Sequence, residues 1–309
     1  MAKETELKLR CDTKNIPALS QLLDSIAKAQ GSRQLNNAYF DTENTDLAKA
    51  KAALRIRENQ GQYEQTLKTR GQSVAGMQQR GEWNWPISSN TLEMEWLQQE
   101  DVQQQLPSNL QLAELHNIFS TDFERQTWLY EHEKTIIEVA IDHGKVIAGQ
   151  YSQPLCECEL ELVSGNEQLL WQLAKTLGEK VPLWLSDISK AERGYQLAQL
   201  SGSWKQWQAE QPSTDRMLQL QDALVHWQRT LEAVVWDGKT ELIDQLHRIH
   251  DLIHSLATQL HSAELLNQIL PWKALQTSEF NKNLRNNIAL ALSVQQAASV
   301  VYQLAKNGK

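Results

Sequence analysis

A chain of 309 residues with 41% hydrophobic content is long enough for one large domain or two ordinary ones, and it can bury a core. Its formal charge of −8 and pI near 5.6 argue against a general nucleic-acid binder. The imbalance is local: residues 201–309 hold ten basic and ten acidic side chains, so the excess of acid lies in 1–200, which hold 20 and 28. Three cysteines, Cys11, Cys156 and Cys158, make no disulfide framework, and the spacing of the last two is wrong for a zinc clip. They read as small apolar strand residues, reduced as in the cytoplasm. The opening Met-Ala-Lys-Glu-Thr-Glu carries charge where a signal peptide needs an apolar run. No run of about 18 apolar residues marks a membrane span. The expectation is a cytoplasmic protein with neither membrane nor nucleic acid as partner.

In chain order, residues 4–10 alternate strictly and predict a strand, while 15–30 have helical spacing with Gly31 as a stop signal. Strand patterns follow at 35–41, 53–58, 62–69 and 79–86, with Asn59 and Gly61 marking a turn. Residues 91–117, rich in Gln, Glu and Leu, predict helix. Alternation returns at 121–131, 134–142, 145–149 and 154–163, with His143-Gly144 read as a turn, and 166–179 predict another helix. Ser201-Gly202-Ser203 and Gln211-Pro212-Ser213 then punctuate the chain, and we place a domain boundary there, between 1–200 and 214–309. From Thr214 the pattern is helical, with Leu242, Leu246, Ile249, Ile253, Leu256 and Leu260 in one apolar stripe.

The charges on the strands are the informative feature. A strand points successive side chains to opposite faces. Here one face is charged and the other apolar in strand after strand: Glu4, Glu6 and Lys8; Arg55 and Arg57; Glu64, Thr66 and Lys68; Arg80 and Glu82; Glu138 and Asp142; Glu157, Glu159 and Glu161. Three like charges in line on one strand repel. Wrapped around one axis, these faces predict a closed barrel with a charged interior, its apolar outside covered by the helices. Acids in such an interior must pair with Arg and Lys or hold a cation. Arg and Lys match phosphate oxygens, and carboxylates hold hard divalent cations that bridge to them.

Glu4-x-Glu6-x-Lys8, Leu54-Arg55-Ile56-Arg57, Glu64-x-Thr66-x-Lys68, Arg80-x-Glu82, Phe123-x-Arg125, the run from Glu138 to Asp142 with His143-Gly144, Glu157-x-Glu159-x-Glu161, and Ser189-Lys190 before Arg193-Gly194-Tyr195 stand in an order that resembles the CYTH superfamily of triphosphate tunnel metalloenzymes. The resemblance implies an α+β fold, an eight-stranded antiparallel β-barrel with flanking helices, followed here by an all-α domain. It implies Mg²⁺ or Mn²⁺ on Glu4, Glu6, Glu159 and Glu161, with Asp142 and Glu157 as further ligand candidates. It implies phosphate contacts from Lys8, Arg55, Arg57, Lys68, Arg80, Arg125 and Lys190. Glu4, Glu6, Lys8, Glu159 and Glu161 are the expected catalytic set. Among family activities, the additional helical domain favours hydrolysis of inorganic triphosphate to diphosphate and phosphate over adenylate cyclisation or cleavage of another triphosphate. A polyphosphate-binding module without catalysis is the reading from another class, and the retained acids favour catalysis over it.

Residues 214–309 resemble part of a CHAD domain, without the dense basic face of its polyphosphate-associated forms. His247, His250, His254 and His261 fall three, four and seven apart beside the apolar stripe and read as boundary polar residues. Trp204, Trp207, Trp227 and Trp236 are expected to pack the two domains together.

Overall fold

The computed structural model describes residues 2–69, 71–198, 213–273 and 282–307. The expected strand at the N-terminus is β1 (Ala2–Arg10), and helix α1 (Ile16–Ile26) follows with Pro17 in its first turn. Strand β2 (Lys28–Asp41) starts earlier than its pattern, so α1 ends at Ile26 instead of reaching 30. Gly31, expected to stop the helix, lies inside β2 at a register shift with φ +103°, a bulge conformation that glycine adopts without strain. A short helix α2 (Asp46–Lys49) precedes β3 (Ala53–Asn59) and β4 (Gln62–Lys68), which are joined through Gln60 and Gly61, both at positive φ as a tight hairpin requires. Strands β5 (Gln72–Val74) and β6 (Met77–Ile87) complete this half.

The long helix expected at 91–117 is not formed. Only α3 (Met94–Leu97), α4 (Glu100–Gln103) and a turn of 3-10 helix at Leu112–Glu114 are helical. Leu97 and Val102 still bury against Leu54, Leu67, Trp83 and Trp85 on the outer face of β3, β4 and β6. Pro107 cannot continue a helix, and the apolar residues reach the sheet from irregular backbone.

Strands β7 (His116–His132), β8 (Thr135–Ala148) and β9 (Tyr151–Ser164) form long hairpins. The turn expected at His143-Gly144 is absent, and the two predicted runs fuse into β8. Gly144 pairs with Phe123, and a Cβ there would lie 2.1 Å from the Asp122 carbonyl oxygen, so this glycine permits a close approach of strands. After α5 (Gln168–Gly178) come the two-residue β10 (Trp184–Leu185) and α6 (Lys190–Leu197). The boundary segment with Trp204 and Trp207 falls at 199–212, outside the described residues. The remaining helices are α7 (Arg216–Asp237), α8 (Ile243–Gln259), α9 (Ala263–Lys273) and α10 (Ile288–Asn307).

Antiparallel pairing runs β1-β9-β8-β7-β2-β3-β4-β6 and closes when β6 returns to β1, with Glu4 opposite Arg80 and Leu7 opposite Met77. The expected eight-stranded barrel is therefore complete; β5 and β10 are short additions at its margin. Its outer face around β1, β8 and β9 is apolar, and α1, α5 and α7–α10 cover it in one continuous core holding Leu7, Leu160, Leu231 and Val301. Trp272 of α9 meets Trp227 of α7 and Trp184 of β10 edge-on at 5.4 and 5.9 Å. Helix α10 is long and apolar enough to cross a membrane by composition, but 61% of that stretch is buried against the rest of the protein. His250 lies in the bundle core with Nε2 3.1 Å from the Ile269 carbonyl oxygen, and His261 falls beyond the end of α8.

Candidate active site

Strand alternation turns the charged residues inward, as their pattern predicts. Lys8 Nζ donates to Glu159 at 2.5 Å and lies 3.7 Å from both Glu6 and Glu157. Lys68 Nζ donates to Glu4 at 2.8 Å and stands 3.3 Å from Glu82. Arg80 donates to Glu4 at 3.1 Å and also to Glu6. Arg125 grips Asp142 with two bonds of 2.7 Å and reaches Glu159 at 2.6 Å. Lys190, the first residue of α6, enters from outside the strands and meets Asp142 at 2.6 Å, Glu159 at 2.9 Å and Glu157. All the predicted site residues except Arg55 and Arg57 therefore lie in or beside one belt of ion pairs.

Opposing charge sets the titration of the belt. Burial would raise the Glu159 carboxyl, but Lys190, Lys8 and Arg125 hold it well below the usual range. Burial is likewise outweighed at Glu4 by Lys68 and Arg80, and at Asp142 by Arg125 and Lys190. Lys8 and Lys190 are held above the ordinary ammonium value, because their carboxylate partners outweigh burial. Glu161 departs from this pattern. It forms no ion pair among the described residues, and its carboxyl is pushed up to about 7 by burial, with Glu4 and Glu6 adding to the rise.

Among the described residues, one acidic group has its oxygens close enough together to hold a cation. Oxygens of Asp142, Glu157 and Glu159 lie within 4.8 Å of one another, with one oxygen of Glu157 buried and unbonded, but the Lys190 ammonium already stands among them. Glu161, whose carboxylate feels Glu4 and Glu6, is the register partner of Glu6 across β1 and β9 and adds a second, looser set of acids. Both sets are all-oxygen donors, which fit a hard divalent cation.

Across the barrel the surplus has the opposite sign. Arg55 and Arg57 on β3 have no carboxylate within ion-pair distance among the described residues. Arg57 Nε donates to Asn37 Oδ1 at 2.9 Å, and the Tyr39 side chain lies beside Arg55. Arg57 is pushed down to about 9 by burial and by repulsion from Arg55 and Arg125. Arg55 Nε, Asn37 Nδ2 and Thr121 Oγ1 are buried there without a hydrogen-bond partner. Asn37, Tyr39 and Thr121 were not among the predicted residues. They alternate inward on β2 and β7, but uncharged side chains on a strand carry no mark that separates them from structural polar residues.

One end of the interior is filled. Leu35, Phe119, Phe123, Val146 and Leu155 form an apolar cluster inside the barrel, and Tyr195 of α6 packs into it. Gly194 abuts the Phe119 ring so closely that a Cβ would lie 2.0 Å from a ring carbon. The Tyr195 hydroxyl donates to Asp41 at 2.7 Å.

A family model described as the CYTH domain matches residues 2–195 and does not extend to α7–α10. Among curated proteins, an inorganic triphosphatase from Haemophilus influenzae is 38% identical over 209 residues, covering 64% of this chain and 55% of that one. The chain thus spans about half the length of that relative. Among solved structures, a Hippeastrum protein named for adenylyl cyclase and described by a dominant triphosphatase activity is 22% identical, with a TM-score of 0.46 over 62% of this chain and 95% of that one. A Pyrococcus horikoshii protein is 16% identical, with a TM-score of 0.40 over 61% and 98%.

Proposed function

From the fact that the chain belongs to the CYTH family, we propose that it hydrolyses inorganic triphosphate to diphosphate and phosphate within its barrel, using Mg²⁺ or Mn²⁺. The observation that carries this reading is the segregation of unmatched charge. Among the described residues, donor groups without acceptors line the β2, β3 and β7 wall, and Glu161, an acid without an ion-pair partner, lies on β9 beside β1. An elongated polyanion accompanied by a divalent cation answers both. The inorganic triphosphatase of Haemophilus influenzae supports the choice of substrate.

In this reading Arg55, Arg57, Lys68, Arg80 and Arg125 take phosphate oxygens, the arginines by paired donors. Lys8 and Lys190 hold Glu159 and the neighbouring acids at fixed positions and contribute positive charge toward the substrate. Glu4, Glu6, Glu159 and Glu161, with Asp142 and Glu157 beside them, are the metal-holding set. When bound, the cation neutralises phosphate charge and activates water. The protein's own contribution is alignment and electrostatic stabilisation, which phosphoryl transfer chiefly requires. Residues 1–200 form the catalytic unit of this proposal and 214–309 an accessory helical one.

The test is phosphate release with Mg²⁺ from inorganic triphosphate, ATP and thiamine triphosphate at equal concentration. Preference for the inorganic compound is expected, with Glu4→Ala and Glu159→Ala abolishing turnover. A cyclic nucleotide product from ATP, or no release from any of the three, overturns the reading in favour of a cyclase or a binding module respectively.

A further inference from the structure

Helix α6 carries Lys190 into the barrel, yet part of what holds α6 in place belongs to the C-terminal helices. Its inner side rests on Phe119 through Gly194 and on Asp41 through Tyr195. Its other side faces α7. Arg193 Nη2 donates to Glu232 at 2.5 Å, and Arg229 donates to Glu192 and approaches Asp187 at 3.5 Å. Arg229 and Glu232 are three residues apart and so share one face of α7.

Glu232 does more than pair with α6. Its carboxylate also accepts from Arg10 Nη1 at 2.7 Å and from Ser186 Oγ at 2.7 Å. Arg10 lies two residues beyond Lys8 on β1, and its guanidinium stacks over Trp236 of α7 at 4.5 Å. Ser186 precedes α6 and donates its backbone N–H to the Lys8 carbonyl oxygen at 2.9 Å. One buried carboxylate thereby joins the end of β1, the approach to α6 and α6 itself, which are the pieces that bring Lys8 and Lys190 to Glu157 and Glu159. A buried charged cluster is a poor source of stability compared with apolar packing. What it does supply is a fixed geometry, since each of the three partners of Glu232 makes directional bonds.

We propose that Glu232 and Arg229 of α7 are positioning residues for Lys190: the C-terminal helices hold α6 at the depth and rotation that put the Lys190 ammonium among Asp142, Glu157 and Glu159. The inference rests on the proposed triphosphatase reading for its kinetic consequence, while its structural consequence is independent of that reading. Neither residue lines the barrel interior, so each acts through α6.

The experiment is a double-mutant cycle on the full chain combined with lysine labelling. Glu232→Gln and Arg229→Ala, each in the wild-type and Lys190→Ala backgrounds, are assayed for triphosphate hydrolysis, with circular dichroism as the folding control. In the wild-type background each lowers kcat by roughly 10- to 100-fold, the scale of a misplacement near 1 Å, and neither has a further effect once Lys190 is removed. Reaction of Lys190 with an amine-directed acylating reagent, read by mass spectrometry, is slow in the wild type, where Lys190 is 6% exposed, and faster in both variants. Arg229→Ala keeps the test available if Glu232→Gln does not fold, because Arg229 is partly exposed. Equal kcat losses in both backgrounds, or unchanged Lys190 labelling in folded variants, overturn the proposal. If the wild type hydrolyses no triphosphate, the catalytic reading fails and the labelling result alone decides the positioning role.

Discussion

At the scale of single residues, the barrel interior sorts its charges into those already matched and those waiting. Arg57 is of the second kind, bonded to Asn37 and repelled by Arg55. In the proposed reading, Arg57→Ala removes a phosphate donor and relieves repulsion from Arg55, so the fold is kept and KM for triphosphate rises by about tenfold or more, the equivalent of one charge-assisted hydrogen bond. Steady-state kinetics check this, and an unchanged KM would remove Arg57 from the binding wall. Glu161 is the acid counterpart. Glu161→Gln keeps shape and lowers negative charge beside Glu4 and Glu6, so the Mg²⁺ concentration for half-maximal rate should rise several-fold in a metal titration. A titration curve superimposable on that of the wild type would instead put the cation among Asp142, Glu157 and Glu159.

At the scale of elements, alternation was the legible signal and register the hidden one. The pattern Glu4-x-Glu6-x-Lys8 reveals which side chains share a face, but not that Lys8 faces Glu159 across β9 or that Arg80 comes round to Glu4. Those partners lie more than 70 positions away, and pairing between distant strands leaves no local trace. Periodicity misled at 91–117, because leucines spaced for a helix suit the curved outer wall of a barrel as well when Pro107 breaks the backbone. It misled at His143-Gly144 too, where a pair that marks turns elsewhere serves close strand contact. Gly144→Ala tests that assignment: with Asp122 and Phe123 backbone in the way, it should cost on the order of 3 kcal/mol, and the urea midpoint should fall accordingly. A mutant as stable as the wild type would show that the strands can move apart freely.

At the scale of the whole molecule, barrel and helices share one core, so acid should act on their junction. Glu232 is pushed down to about 2, because Arg193 and Arg10 outweigh the burial that would raise it. Besides these two and Ser186, the group faces Asp237 of its own helix, which burial raises and Arg10 lowers. The folded value lies below the ordinary 4.5, so the native state binds fewer protons than the unfolded chain there. The stabilisation is complete above pH 4.5 and is lost as pH falls from 4.5 towards 2, to a total on the order of 3 kcal/mol. Wild type should therefore lose more stability than Glu232→Gln across that window, as denaturation followed by tryptophan fluorescence would record. Parallel losses in the two proteins would place the acid sensitivity in the barrel carboxylates.

The seam between β1 and β6 carries a consequence for how the molecule is made. Strand β1 lies between β6, at residues 77–82, and β9, at 157–161. A ribosome thus releases Glu4, Glu6 and Lys8 long before their neighbours exist, and these side chains spend that interval hydrated and unopposed. Contacts this distant form late. The ring can shut only when the ninth strand has emerged, so the Lys8–Glu159 pair arises in the same event that completes the wall around it, and Lys190 joins it later still.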